Sequence, residues 1–245
     1  MNTLGYLKIV IRDEIRAIKE EIKESKLLAA TFLVAAIGLL IYLKPFPNRD
    51  IYFLSGYPNS DWNVLAKATA DILHKNGLNI TVLNTEGAVE NVTRLNNDSD
   101  AANAGFTYGL ALQEGELQGI YSLGSVGYEP VWVLYNKNKI GEMQSLEALA
   151  KHKVGLGPTQ SGSYRIAKKI FEMMGIDVEG NPHFVPNTML ANQAKLKSGE
   201  IDVLVLVSTH WDPITKDLLT TPNIAVFDFK NALAFARQNN SFVTL

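Results

Sequence analysis

The sequence predicts an α/β fold of two lobes carried behind an apolar N-terminal helix, and three observations predict it. Residues 27 to 43 run for 17 positions without a charge. From residue 50 onward the apolar pattern switches repeatedly between the continuous runs of buried strands and the 3.6-residue period of helices. These alternations form two series that meet near residues 123 to 128. A chain of 245 residues, 47% hydrophobic and 20% charged, is long enough for two lobes of about 100 residues each and too apolar for disorder.

The uncharged run LLAATFLVAAIGLLIYL covers about 26 Å as a helix at roughly 1.5 Å per residue, enough to span a bilayer core. Lys26 and Lys44 close it, and Tyr42 falls at interface depth. A cleaved signal peptide would need an unusually long charged region, residues 1 to 26, and no A-x-A-like exit follows Leu43. Residues 27–43 therefore read as an uncleaved anchor in the lipid bilayer. Six basic residues (Lys8, Arg12, Arg16, Lys19, Lys23, Lys26) precede the span, whereas only Lys44 and Arg49 follow it closely. That bias predicts a single-pass protein of the inner membrane with a cytoplasmic N-terminus and a periplasmic or otherwise extracytoplasmic domain. Within residues 1–26, Ile11, Ile15, Ile18 and Ile22 make an apolar stripe. It reads as a helix on the inner leaflet, as an extension of the anchor, or as a short coiled-coil seam.

Pro45, Pro47 and Asn48 give a stiff exit from the membrane. IYFLSGY (51 to 57) then reads as a buried strand. Residues 61 to 75 read as a helix with Val64, Leu65, Ala68, Ile72 and Leu73 on its inner face, stopped at Asn76-Gly77. A strand at 79 to 85, a helix at 89 to 95 and a short strand at 101 to 106 continue the first series. The second contains strand 128 to 136, helix 145 to 151, strand 153 to 157, helix 161 to 174, strand 183 to 186, helix 189 to 198, strand 201 to 208, helix 212 to 219 and strand 223 to 229. Such alternation predicts parallel β-α-β units. The resulting divisions are 1–26 cytoplasmic helix, 27–43 anchor, 48–125 first lobe, 126–230 second lobe, and 231–245 the start of a return to the first.

In parallel α/β lobes the loops at the strands' C-terminal ends face the ligand and lead into helix N-termini that favour anions. Those loops are SGYPNSDW, NTEGAVEN, FTYG, GPTQSGSYR and STHWDP. GPTQSGSYR suits a carboxylate or phosphate, but ordinary serine capping explains it equally well. It is neither a P-loop nor a completed G-x-G-x-x-G. Tyr57, Trp62, Phe106, Tyr108, Trp132 and Trp211 lie in or near these loops, as pocket walls or as core packing.

Other chemistries are poorly served. A net charge of −2 with no Lys/Arg run lacks the footprint of a nucleic-acid binder, and zero cysteines exclude disulfides, thiolate metal sites and cysteine nucleophiles. The four histidines show no metal-ligand spacing, and no G-x-S-x-G elbow is present. His210 beside Asp212 has no partner nucleophile. The expectation is no catalytic residue, no metal and no cofactor.

The run TEGAVENVTRLNN resembles the T-x-G-[SA]-V-E-N-x-x-L-L-N signature of TAXI-type solute receptors, the binding proteins associated with TRAP transporters. SLGSVGYEPVWVLYN, VGLGPTQSGSYR, LKSGEIDVLVLVS and LLTTPNIAVFDF follow in that family's order, and the anchor resembles a membrane-tethered subgroup. The resemblance covers about residues 50 to 245. It implies a type II periplasmic-binding-protein fold that closes on a glutamate-like or 2-oxoacid-like solute and delivers it to TRAP permease subunits. Carried over, the ligand-binding positions are Tyr57 and Ser60, then Thr85, Gly87 and Ala88, then Thr107 and Tyr108. Glu129, Ser161, Gly162, Ser163 and Thr209 would face them. Two departures stand out. SGYPNSDW lacks the family's G-G-x-Y pattern, and the chain stops at SFVTL where family members continue into the first lobe, so an unpaired sheet edge or a thinner core is expected there. The competing function is a sensing module that passes lobe closure to a membrane partner.

Overall fold

The computed structural model describes residues 3–43, 49–112, 115, 119–230, 232–238 and 242. Lys44, the exit residues Pro45, Pro47 and Asn48, and most of the segment after 238 lie outside the described residues. Two compact units result, residues 1–48 and 49–245.

Among the described residues the first unit is one helix, α1 (Thr3–Leu43), with no break between the charged and uncharged parts. It carries no glycine or proline between Tyr6 and Ile37, so nothing interrupts its backbone hydrogen bonds there. By length and composition it can cross a membrane, with a mean hydropathy of 2.2 over its apolar window. Ile11, Ile15 and Ile18 of the stripe are exposed, and the Ile22 side chain lies outside the described residues.

Among the described residues the second unit holds two sheets. The smaller has strand order β2-β1-β3, all parallel, built from β1 (Asp50–Leu54), β2 (Asn79–Leu83) and β3 (Ala104–Gly105). Leu54 stands level with both Leu83 and Gly105, so the three following loops leave the sheet at one height. Helices α2 (Asp61–Lys75) and α3 (Ala88–Leu95) follow β1 and β2. Against the expected inner face of α2, the residues it buries are Trp62, Asn63, Ala66 and Ala70, while Val64, Leu65 and Ile72 are exposed. Small alanines let the helix lie close to a three-stranded sheet, and Asn63 is turned inward by polar partners described below.

The larger sheet has order β6-β5-β7-β4-β8, from β4 (Val131–Asn136), β5 (Val154–Leu156), β6 (Phe184–Pro186), β7 (Val203–Val207) and β8 (Ile224–Val226). Strand β7, VLVLV, is buried on both sides, and the period-2 alternation divides it between two cores. Val203, Val205 and Val207 pack with Ile166, Ala167, Ile170 and Phe171 of α6 (Gly162–Glu172). Leu204 and Leu206 pack with Leu196 of α7 (Met189–Ser198) and with Ile214 and Leu218 of α8 (Pro213–Leu219). Burial of about 1.5–3 kcal/mol for each such side chain makes this strand the centre of the unit.

One expectation of the alternating pattern is corrected here. β5, β6 and β7 are parallel, but β4 runs antiparallel to both β7 and β8. An apolar run identifies a buried strand without giving its direction, and only the short helices α4 (Lys137–Ile140) and α5 (Leu146–Leu149) separate β4 from β5. Because β4 is reversed, Val131 pairs with Val207, and Glu129 just before it stands at the edge where the parallel strands end. A last helix, α9 (Ala232–Gln238), follows β8 and places Phe235 against the α6-side core.

Candidate ligand cleft

A cavity of about 600 Å³ opens among the loops that follow the parallel strands. The smaller sheet contributes residues 56–62 after β1, residues 86–88 after β2 and Tyr108 after β3. The larger sheet contributes Pro158 and 161–163 after β5, 188–190 after β6, 206–208 at the end of β7, and Pro213 and Ile214 at the start of α8.

Polar residues buried behind the first three loops hold them together. Asn63 Nδ2 donates to Ser55 Oγ (3.1 Å) and Asn84 Oδ1 (2.8 Å). Asn91 Nδ2 donates to the carbonyls of Ser55 (2.9 Å) and Phe106 (2.8 Å). Both asparagines are fully buried, and the partners of their Nδ2 groups stand in for lost water and tie the loop ends together, while Asn91 Oδ1 is buried without a hydrogen-bond partner among the described residues. Gly87 begins α3 at φ 127, a conformation open to glycine, and a Cβ there would stand 3.5 Å from Ser161 Cα.

Three hydrogen-bond groups cross between the lobes. Tyr57 Oη donates to Asp212 Oδ2 (2.7 Å), and the amide of Asp61 donates to the same oxygen (3.4 Å). The Thr209 amide donates to Asp61 Oδ2 (2.8 Å), and the Glu90 amide to the Gln160 carbonyl (3.1 Å). Trp62 Nε1 donates to Glu129 Oε1 and Tyr108 Oη to Glu129 Oε2. Trp62 and Tyr108 also stack, with ring centroids 4.5 Å apart.

The electrostatics follow from this crowding. Burial, reinforced by the charge of Asp61, pushes the Glu129 carboxyl up to about 7, although its two hydrogen bonds pull the other way. Burial also raises Asp212, against the hydrogen bond from Tyr57. Tyr57 and Tyr108 are raised first by burial and then by the facing carboxylates, so both remain hydroxyl donors.

Of the positions carried over from sequence, Tyr57, Ser60, Gly87, Ala88, Tyr108, Ser161, Gly162 and Ser163 line the cavity. The remaining four are placed differently. Thr85 is buried behind it, with Oγ1 donating to the Ser55 carbonyl (3.4 Å), and Thr107 is exposed away from it. Glu129 stands behind Trp62 and Tyr108. Thr209 supplies its amide to Asp61, while its Oγ1 is buried without a hydrogen-bond partner among the described residues. Several lining hydroxyls have structural work. Ser60 caps α2 and Ser161 caps α6, and Ser163 Oγ accepts from the Val207 amide at 3.0 Å. Asp212 caps α8, so its pairing with His210 as a base is not formed: both oxygens are engaged and Asp212 is fully buried. Lining residues outside the carried-over positions include Asp61, Glu86, Pro158, Met189, Leu190 and Ile214. A parallel-strand loop was the available signal for Asp61, but a first-turn aspartate also reads as a helix-dipole residue.

A profile of the NMT1-like family matches residues 60–243. No curated protein matches the chain. Among solved structures, the effector-binding domain of QuiR in complex with shikimate is 11% identical, with a TM-score of 0.53 over 74% of this chain and 81% of that one. The binding-protein component of an ABC phosphonate transporter from Pseudomonas aeruginosa is 16% identical, with a TM-score of 0.50 over 74% of this chain. This chain covers 64% of that protein, less than two thirds of its length. A substrate-binding protein of an ABC uptake transporter from Streptococcus pneumoniae, with bound histidine, is 13% identical, with a TM-score of 0.50 over 75% and 76% of the two chains. These likenesses establish a periplasmic-binding-protein-like α/β fold with a mixed sheet.

Proposed function

We propose that this chain, which belongs to the NMT1-like family, is a membrane-anchored extracytoplasmic receptor that binds a small organic solute between its lobes without turning it over. The observation that carries this reading is the cavity of about 600 Å³ on the ligand-facing edge of both sheets. A helix long and apolar enough to span a bilayer, with the basic residues gathered before its uncharged part, supports the anchor and its orientation.

The lining narrows the solute. Gly162 and Ser163 bring the first turn of the 11-residue α6 to the cavity, where free amides and the helix dipole suit a carboxylate. Among the described residues the charged side chains that line it are Asp61 and Glu86, with Asp212 and Glu129 behind. A solute with an ammonium group as well as a carboxylate satisfies both ends, whereas a dicarboxylate or 2-oxoacid would set its second anionic or polar group among carboxylates. We therefore place an amino acid ahead of the other acids. Delivery to TRAP permease subunits is supported by the resemblance of TEGAVENVTRLNN and the linked motifs to TAXI-type receptors.

The test is thermal unfolding of the full chain in lipid nanodiscs against amino acids, 2-oxoacids and dicarboxylates. A ligand present at about 100 times its dissociation constant stabilises by roughly 2.7 kcal/mol. A shift with amino acids alone is the expected result. A shift with dicarboxylates alone overturns the solute class, and a cooperative transition that no compound moves overturns the receptor reading. Delivery is tested by adding the chain to proteoliposomes containing a TRAP permease, where uptake should require it.

A further inference from the structure

The junction between the lobes is built on carboxylates. Asp61 begins α2 in the first lobe, Asp212 precedes α8 in the second, and Glu129 precedes β4. Among the described residues none of the three has a cationic partner within ion-pair distance. The donors they face are neutral: Trp62 Nε1, the hydroxyls of Tyr57 and Tyr108, and backbone amides. The loop before α8 also carries His210, which is exposed and meets the Trp211 ring edge-on with ring centroids 4.6 Å apart.

We propose that Glu129 is a proton-operated latch: protonated, it holds the two lobes together, and ionised, it favours their parting. The geometry lets the protonated form keep every hydrogen bond. Tyr108 Oη lies within reach of Glu129 Oε2 and also 3.4 Å from the Val207 carbonyl. When Glu129 gains a proton on Oε2, that O–H donates to the Tyr108 oxygen and the Tyr108 O–H turns to the Val207 carbonyl. Trp62 Nε1 continues to donate to Oε1. The junction loses one negative charge beside Asp61 and Asp212 and leaves no donor unmatched.

The sign follows by linkage. In parted lobes Glu129 is hydrated and titrates near its ordinary 4.5, whereas in the joined lobes it titrates at about 7. The joined form therefore binds the proton more tightly, and joining takes up a proton between these values. On that basis the equilibrium shifts toward parted lobes by about thirtyfold from pH 5.5 to 8.5.

This inference rests on the cleft being one that opens and closes, but its test needs no solute. The chain has no cysteine, so Lys75→Cys and Lys151→Cys at exposed positions in the two lobes carry a unique spin-label pair. Double electron–electron resonance on the full chain in nanodiscs then reads the distance at pH 5.5 and 8.5. A longer-distance population that grows at pH 8.5, and that Glu129→Gln removes, is the expected result. An unchanged distance distribution, or an undiminished pH response in Glu129→Gln, overturns the latch. If Glu129→Gln does not fold, Tyr108→Phe decides: both forms lose their hydrogen bond to that hydroxyl, but the ionised form loses the stronger, charge-assisted one, so the midpoint must move to higher pH. A midpoint that stays or falls overturns the proposal. A pH-dependent distance beside a solute panel without a hit leaves the latch standing and removes the receptor reading. A solute hit beside a pH-independent distance does the reverse.

Discussion

The Tyr108 ring of the first lobe lies directly on the backbone of Gly162 in the second, so closely that a Cβ at position 162 would fall 2.7 Å from Tyr108 Cε2 and 3.1 Å from Ala88 Cβ. Tyr108 cannot swing aside freely, because its hydroxyl is held by Glu129 and its ring by Trp62. Gly162→Ala is therefore a wedge between the lobes. It should weaken solute binding at least tenfold, about 1.4 kcal/mol. Gly127→Ala, where an added Cβ meets nothing within 4 Å, is the control. Calorimetric titration of both variants with whichever solute stabilises the chain checks this, and equal affinities would mean that the lobes need not approach this closely.

The loops carrying Tyr108 and Gly162 could be placed from sequence because both follow apolar runs that read as strands, and parallel α/β architecture puts such loops on one edge. The same logic reached Tyr57, Ser60, Gly87 and Ala88. It could not reach Glu129 from the residues alone, because that residue precedes a strand. Glu129 stands near the cleft only because β4 runs antiparallel, and an apolar run such as VWVLYN has the same composition in either direction. Asn63 and Asn91 were equally hidden, since a polar residue on a helix reads as solvated until its buried partners are known. Ser161 and Ser163 show the opposite limit: both line the cavity and both serve structural hydrogen bonds, so the capping and binding accounts of GPTQSGSYR each hold a part.

Helix α2 turns its larger aliphatic residues outward, which gives a direct test of packing against periodicity. Ile72 is 61% exposed and Ala66 only 2%. Ile72→Ala should change stability by no more than about 0.5 kcal/mol, as a surface substitution does. Ala66→Leu should cost about 1–3 kcal/mol by overpacking the narrow space against the small sheet. Chemical denaturation of the two variants in detergent separates these outcomes, and a larger loss for Ile72→Ala would mean that the outward face is covered in solution.

Glu129 makes the protein's stability fall as pH rises. Its folded value of about 7 lies above the ordinary 4.5, so the folded chain binds the proton more tightly than the unfolded one. The advantage is complete below about 4.5 and is lost as pH rises through 7. Glu129→Gln lacks this titration. Its melting temperature should decline by several degrees less than that of the wild type between pH 5 and pH 8. Parallel curves for the two proteins over that range would show that Glu129 titrates at its ordinary value.

Asp212 joins helix capping to the lobe junction, and two substitutions separate these roles. Its Oδ1 accepts from the amides of Ile214 (3.0 Å) and Thr215 (3.3 Å), while Oδ2 accepts from Tyr57 Oη (2.7 Å). Asp212→Ala removes the cap, a loss of about 0.5–2 kcal/mol, and leaves the Tyr57 hydroxyl without its acceptor, which costs about 1–3 kcal/mol more. Asp212→Asn retains an oxygen for the cap. Its amide donates to Tyr57 Oη instead of accepting from it, the Asp61 amide gives up its long 3.4 Å bond to Oδ2, and in exchange one buried charge disappears from beside Asp61. Denaturant unfolding at pH 7 should therefore place Asp212→Asn within about 1 kcal/mol of the wild type and Asp212→Ala several kcal/mol below both. If the two variants lose stability equally, the charge itself holds the junction, and the hydrogen-bond account of how the lobes meet is wrong.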